Sequence, residues 1–221
     1  MSTATTATSS PTSAMDRRTS RVVEPLFQLW SHVYDARFFQ QFYGRIHDRI
    51  LRNAPAPAGV TAALDVGTGT GELLVKLARQ YPKSRIVGLD ISAAMLRQAK
   101  QKDFGSAAVE LVEGSVYELP FDDGTFQLVT NTISSHFYRD FGAAARELAR
   151  VAAPGARLAM ASLGNGPLRF LPGAIGAEVK VGEMAYRSQA HQRAMLEEAG
   201  WAVERVDRLM LGALLYSARR S

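Results

Sequence analysis

The most constraining stretch of this chain is residues 64–74. There an apolar run with Leu64 and Val66 meets three glycines at alternate positions, Gly67, Gly69 and Gly71. Directly after them Leu73, Leu74, Leu77, Ala78 and Tyr81 recur at helical spacing. Strand, glycine turn and amphipathic helix, in that order, is how an α/β sheet brings backbone N–H groups and a helix N-terminus to a ligand. Glycine suits such a turn because it takes up positive φ and puts no Cβ in a ligand's way. The dinucleotide spacing Gly-x-Gly-x-x-Gly is not met: the sixth residue counted from Gly67 is Glu72, and counted from Gly69 it is Leu74. The spacing therefore predicts a ligand loop and argues against an NAD-type oxidoreductase.

The remainder of the chain repeats the strand–helix rhythm. A buried strand over residues 85–90 ends in Asp90, 23 residues after Gly67. An acid at the end of the second strand accepts hydrogen bonds from ribose hydroxyls in doubly wound sheets; by itself it is also a simple helix cap. Ser92 is expected to cap the next helix, which carries Met95, Leu96 and Ala99. Strands follow at residues 109–112 and 126–131, joined by a connection that is mostly loop. A helix over residues 139–152, a Pro154-Gly155 turn, a strand at 157–161, a helix over 189–199 and two closing strands complete the pattern. This order predicts an α/β fold: a Rossmann-like, doubly wound, mostly parallel seven-stranded sheet with an antiparallel C-terminal edge hairpin and N-terminal helices.

Composition narrows the chemistry. The 221 residues contain no cysteine, which excludes a disulfide framework, a thiolate metal site and a cysteine nucleophile. The four histidines are scattered, so no metal site is expected. A net charge of +5 comes from dispersed lysines and arginines without a basic block, so nucleic acid is not the expected partner.

Two stretches depart from the rhythm. Residues 1–20 are rich in Ser, Thr and Ala and read as a dispensable disordered tail, with Met15 as an alternative start. Residues 21–221 read as one domain. Within it, residues 21–52 form a helical cap with two aromatic stripes, one through Trp30 and Tyr34 and one through Phe38, Phe42, Tyr43, Ile46 and Ile50, the second capped by Asp35. Three readings of those helices stand side by side: packing on the domain, an apolar wall for a substrate, or interfacial contact with a membrane through the accompanying arginines. Residues 164–187, broken by glycine and proline among apolar residues, read as a substrate-side insertion that is either a lid or a structural cover.

Taken together these motifs resemble the class I S-adenosylmethionine (SAM)-dependent methyltransferases, in the small-molecule group of ubiquinone/menaquinone-type, methyltransferase-11-like enzymes. Residues 64–71 are similar to the family's first motif, 88–96 to its second, 113–121 to its adenine-side loop, 147–158 to its helix, Pro-Gly turn and fifth strand, and 196–201 to its late helix and turn. The resemblance implies SAM as cofactor. It places Gly67, Thr68, Gly69 and Gly71 along the cofactor's amino-acid end, with Asp65 polarising that end directly or through water. It places Asp90 on the ribose, Ile91 and Met95 on the adenine, and Ser115 and Val116 where the adenine-side loop has an acid. Asn131, Thr132 and His136 fall where the family meets cofactor and substrate, with His136 either a general base or a surface or capping histidine. Tyr34 resembles an aromatic that closes over the cofactor. Gln127 replaces a common acid and is expected to matter for packing.

The expected activity is methyl transfer from SAM to a small or lipophilic O, N or C nucleophile by in-line displacement. The alternatives are a phospholipid amine N-methyltransferase and a SAM-binding protein without methyl transfer. The expected partner is a small-molecule or lipid acceptor, with a cytoplasmic location and possible peripheral membrane contact.

Overall fold

The computed structural model describes residues 37–53, 59–165, 178–181, 184–209 and 212–221. The tail, the first aromatic helix with Tyr34, the Asp35 cap and most of the expected insertion lie outside the described residues. Helix α1 runs over Arg37–Asn53. Strand β1 (Ala62–Val66) leads through the glycine turn into α2 (Glu72–Gln80), then come β2 (Arg85–Asp90), α3 (Ala93–Ala99) and β3 (Ala108–Glu113). After a loop come β4 (Phe126–Thr132), a 3-10 turn at Ser135–Phe137, α4 (Phe141–Val151) and β5 (Ala152–Leu163). The chain ends with β6 (Glu178–Val181), β7 (Met184–Arg187), α5 (Gln189–Glu198), β8 (Trp201–Arg208) and β9 (Ala213–Arg220).

The main sheet has seven strands in the order β3-β2-β1-β4-β5-β9-β8. β1 to β5 are mutually parallel, while β9 runs antiparallel to both β5 and β8. The expected edge hairpin is therefore present, but its reversed member is second from the edge. β1 sits between β2 and β4, so the strand order reverses there; a crevice opens at the C-terminal ends of strands flanking such a switch point.

Side-chain patterning explains the layering. β1 is buried along its whole length, which requires cover on both faces. One face is sealed by Ile46 and Ile50 of α1 and Leu73, Leu74 and Leu77 of α2 against Ile86, Leu128 and Ala159. The other is sealed by Phe141, Ala145 and Leu148 of α4 and by Leu196 and Trp201, against Leu64, Val129 and Tyr216. The outer strand β3 alternates exposed and half-buried positions, and Glu110 on it pairs with Arg85 at 2.7 Å. Such charges blunt an open sheet edge.

Four local findings refine the sequence expectations. Ser92 caps α3, its Oγ accepting the N–H of Met95 at 3.3 Å. Gln127 does act in packing: its Oε1 accepts from Thr61 N, Thr61 Oγ1 and Ala62 N, tying the start of β1 to β4. β5 is longer than the expected strand because it begins at Ala152, before the Pro154-Gly155 turn. Its pairing with β4 jumps from Phe126↔Ala152 to Leu128↔Arg157, so the turn is carried as a bulge within the strand. Inside the insertion read as irregular, β6 and β7 pair as a small antiparallel hairpin.

Candidate functional site

The glycine loop is pinned to the end of β2. The N–H groups of Gly67 and Thr68 both donate to the Leu89 carbonyl, at 2.8 and 3.1 Å. Asp90 closes the same arch from the other side: its Oδ2 accepts from Gly69 N at 2.8 Å and its Oδ1 from Ser92 N at 2.9 Å. Beneath the loop Asp65, 2% exposed, accepts from the hydroxyls of Thr68 and Thr130, each at 2.8 Å. Burial pushes the Asp65 carboxyl up to about 7, against the downward pull of the two hydroxyls and with a further upward push from Asp90.

The three glycines have different jobs. A Cβ on Gly67 (φ +69°) would stand 2.6 Å from the Ser134 Cβ, so the turn fits closely under the loop after β4. At Gly69 (φ +56°) a Cβ would meet nothing within 4 Å and would project into open space. Gly71 (φ +82°) precedes α2 and packs on α3, where a Cβ would lie 3.0 Å from the Ala99 Cβ. Only the first two line the cavity.

That cavity, about 320 Å³, occupies the crevice at the switch point. Its floor is the glycine loop with Asp65, Thr68, Gly69 and Asp90. One flank is Ile91, Met95, Gly114, Val116 and Tyr117; the other is Thr132, Ile133, Ser134, Phe137 and Tyr138 after β4. The roof is α1 and α2, through Tyr43, Gly44, His47, Leu73 and Lys76. Ile133 has φ +48°, a conformation that costs a β-branched residue of the order of 1–3 kcal/mol and that clusters at functional sites.

The structure brings together most of the expected residues: Asp65, Gly67, Thr68, Gly69, Asp90, Ile91, Met95, Val116 and Thr132 share one cavity. Others stand behind its wall. Ser115 Oγ accepts its own turn amide, Tyr117 N, at 3.1 Å. Asn131 is fully buried and donates through Nδ2 to the Val66 carbonyl at 2.7 Å and to Ser134 Oγ at 2.6 Å, so it braces the two loops against each other. His136 is also buried, its ring against Phe137 at 4.2 Å and stacked on Tyr186 of β7 at 5.9 Å, and burial holds it down at about 4. It faces the small hairpin rather than the cavity wall.

His47 was not singled out in the sequence and, among the described residues, is the histidine that lines the cavity. It is 6% exposed, and its Nδ1 has no hydrogen-bond partner among the described residues. Burial, with Lys76 adding to it and Asp48 opposing, holds its pKa down at about 3, so the ring is neutral near pH 7. The available signal was positional: a polar residue on an otherwise apolar helix stripe, four residues after Tyr43 and three before Ile50.

The cavity's chemistry matches a nucleoside-bearing ligand, with a carboxylate at a strand end beside an apolar slot. The comparisons agree. The family model described as a methyltransferase domain matches residues 64–160. A demethylmenaquinone methyltransferase of Bacillus subtilis is 34% identical over 146 residues, 65% of this chain and 62% of that protein. One of Roseiflexus castenholzii is 41% identical over 104 residues, 47% of this chain and 43% of that protein. The chain thus spans about half the length of the curated relatives it matches. A solved SAM-dependent methyltransferase of Aquifex aeolicus shares the fold with a TM-score of 0.71 at 22% identity, over 88% of this chain and 98% of that one. Over residues 64–160 the chain is thus similar to a methyltransferase domain, and it shares its fold with a solved SAM-dependent methyltransferase.

Proposed function

We propose that this protein transfers a methyl group from SAM to a small, lipophilic acceptor. The observation that carries the reading is one continuous cavity that joins the glycine loop and Asp90 to an apolar, aromatic wall at α1 and the turn after β4. The residues present fit the cofactor. Asp90 would take the ribose hydroxyls, since a carboxylate has about four acceptor positions, enough for loop and ribose together. Ile91, Met95 and Val116 would enclose the adenine, and the open space over Gly69 would admit the amino-acid end, near Asp65.

When bound, SAM supplies a methyl group on a positively charged sulfur, and the displacement itself needs no protein nucleophile. The chain's own residues align and desolvate. Asp65, Thr68 and Thr130 hold the loop in one shape, Asn131 locks it to the loop after β4, and Tyr43, Phe137 and Tyr138 keep water from the reacting atoms. The demethylmenaquinone methyltransferase relatives favour an acceptor of quinol type. In this reading the enzyme works in the cytoplasm and meets its acceptor there or at a membrane surface. Among the described residues no helix is long and apolar enough to cross a membrane.

The test is a turnover screen with SAM over phenols, hydroquinols, amines and phospholipids, read by mass. One added methyl on a phenol or hydroquinol is the expected result. Tight SAM binding with no product in any class would overturn the reading.

A further inference from the structure

Resting on the methyltransferase reading of this cavity, we infer that His47 is the acceptor-binding residue and that the acceptor it selects carries an aromatic hydroxyl. The imidazole belongs to the cavity wall, is nine-tenths buried, and has an Nδ1 without a partner among the described residues. A buried ring nitrogen without a partner is costly unless a ligand satisfies it. A neutral imidazole has one acceptor and one donor nitrogen, which suits a hydroxyl.

The surroundings define what the rest of that ligand is. Tyr43, Leu73, Ile133 and Phe137 present apolar and aromatic surface, so the body of the ligand is apolar and flat. Lys76 of α2 also lines the cavity, with its Nζ on Asp48 at 2.5 Å and on the Gly44 carbonyl at 3.1 Å. Asp48 meets that charge, so the rim beside His47 is close to neutral and suits an uncharged hydroxyl. Thr132, Ile133 and Ser134, opposite the helix, carry no charge; the carboxylates of Asp65, Asp90 and Glu72 line the floor and side of the cavity on the glycine loop, at the end of β2 and at the start of α2. His47 thus sits where hydroxyl recognition and cofactor binding are separated within one cavity. His136, the histidine that the sequence suggested, does not line it.

The experiment measures binding of 1-naphthol and of 1-fluoronaphthalene, which has the same shape without the hydroxyl donor, to the full chain by calorimetry, with SAM binding measured in parallel. In the native protein 1-naphthol is expected to bind about tenfold more tightly than the fluoro analogue. His47→Phe should abolish that preference while leaving SAM affinity unchanged, and His47→Gln, which keeps an acceptor, should restore part of it. The 15N resonances of the His47 ring should shift with 1-naphthol and not with the analogue. SAM binding with no hydroxyl preference, or with a preference that survives in folded His47→Phe, overturns the inference and leaves the methyltransferase reading standing. A His47-dependent preference without SAM binding supports the hydroxyl site and overturns the cofactor reading instead.

Discussion

Asp90 joins three groups with one carboxylate: the loop amide of Gly69, the amide of Ser92 and, in the proposed complex, the ribose. Asp90→Ala should weaken SAM binding by about 1–3 kcal/mol, the usual worth of charge-assisted hydrogen bonds, as read by calorimetry. Unchanged affinity in a folded variant would remove Asp90 from the site. The glycines separate stability from binding in a similar way. Gly67→Ala puts a Cβ against Ser134 and should lower stability by about 2 kcal/mol, combining the left-handed penalty with overpacking. Gly69→Ala meets no atom, so it should cost only about 1 kcal/mol of stability, the conformational penalty, while its Cβ obstructs the ligand and weakens SAM binding. Urea unfolding and calorimetry on both variants test this; equal stability losses would show that the close approach at Gly67 relaxes freely.

At the scale of elements, α1 is tied to α2 by Lys76, which reaches both Asp48 and the Gly44 carbonyl. The pair is substantially exposed, 29% and 50%, so Lys76→Met should cost less than about 1 kcal/mol of stability. Its larger effect should be on His47. Lys76 is one of two groups that keep the imidazole neutral, burial being the greater, so the variant's His47 should titrate above about 3 but still below its ordinary 6.5. A histidine titration by NMR reads this directly, and an unmoved or lowered His47 would show that Lys76 exerts no field at the cavity.

The same elements show what the sequence made legible. Strand, glycine turn and helix are local patterns, so β1, α2, β2 and the Ser92 cap could be read directly, along with the glycine-loop end of the cavity. His47 was obscured because α1 reads as an aromatic packing stripe, and a polar residue on it becomes visible only when the opposite wall is known. The β6–β7 hairpin was hidden by the surrounding glycines and prolines. The position of β9 inside the sheet depends on pairing with β5 across some 50 residues, which no local pattern encodes. Asn131 and His136 fell in the right segment, but only the packing shows that one braces two loops and the other faces the hairpin.

For the molecule as a whole, three buried groups give the fold a definite pH response. His47 and His136 are held at about 3 and 4, against 6.5 in an unfolded chain. Between about pH 4 and 6.5 the unfolded chain therefore binds two protons that the fold refuses, and stability rises with pH. Asp65 acts in the opposite sense. Its carboxyl, near 7 in the fold against an ordinary 3.8, keeps a proton that the unfolded chain releases, so its contribution falls as pH rises over the same window. Asp48, lowered by its hydrogen bond to Lys76, acts only at the acid end. One net proton remains, so stability should climb by about 1.4 kcal/mol per pH unit between pH 4.5 and 6, then level off and dip slightly towards pH 7 as Asp65 alone continues to titrate. Urea unfolding across that range measures the slope. Asp65→Asn removes the opposing group and should roughly double the slope and erase the dip. A stability that falls with pH in the native protein would mean that the two histidines are not held down in the fold, because Asp65 alone offsets at most one proton. In either case Asp65, held near 7, stays protonated through the acidic range, so the hydroxyls of Thr68 and Thr130 hold the glycine loop there against a neutral carboxyl that becomes charged only towards pH 7.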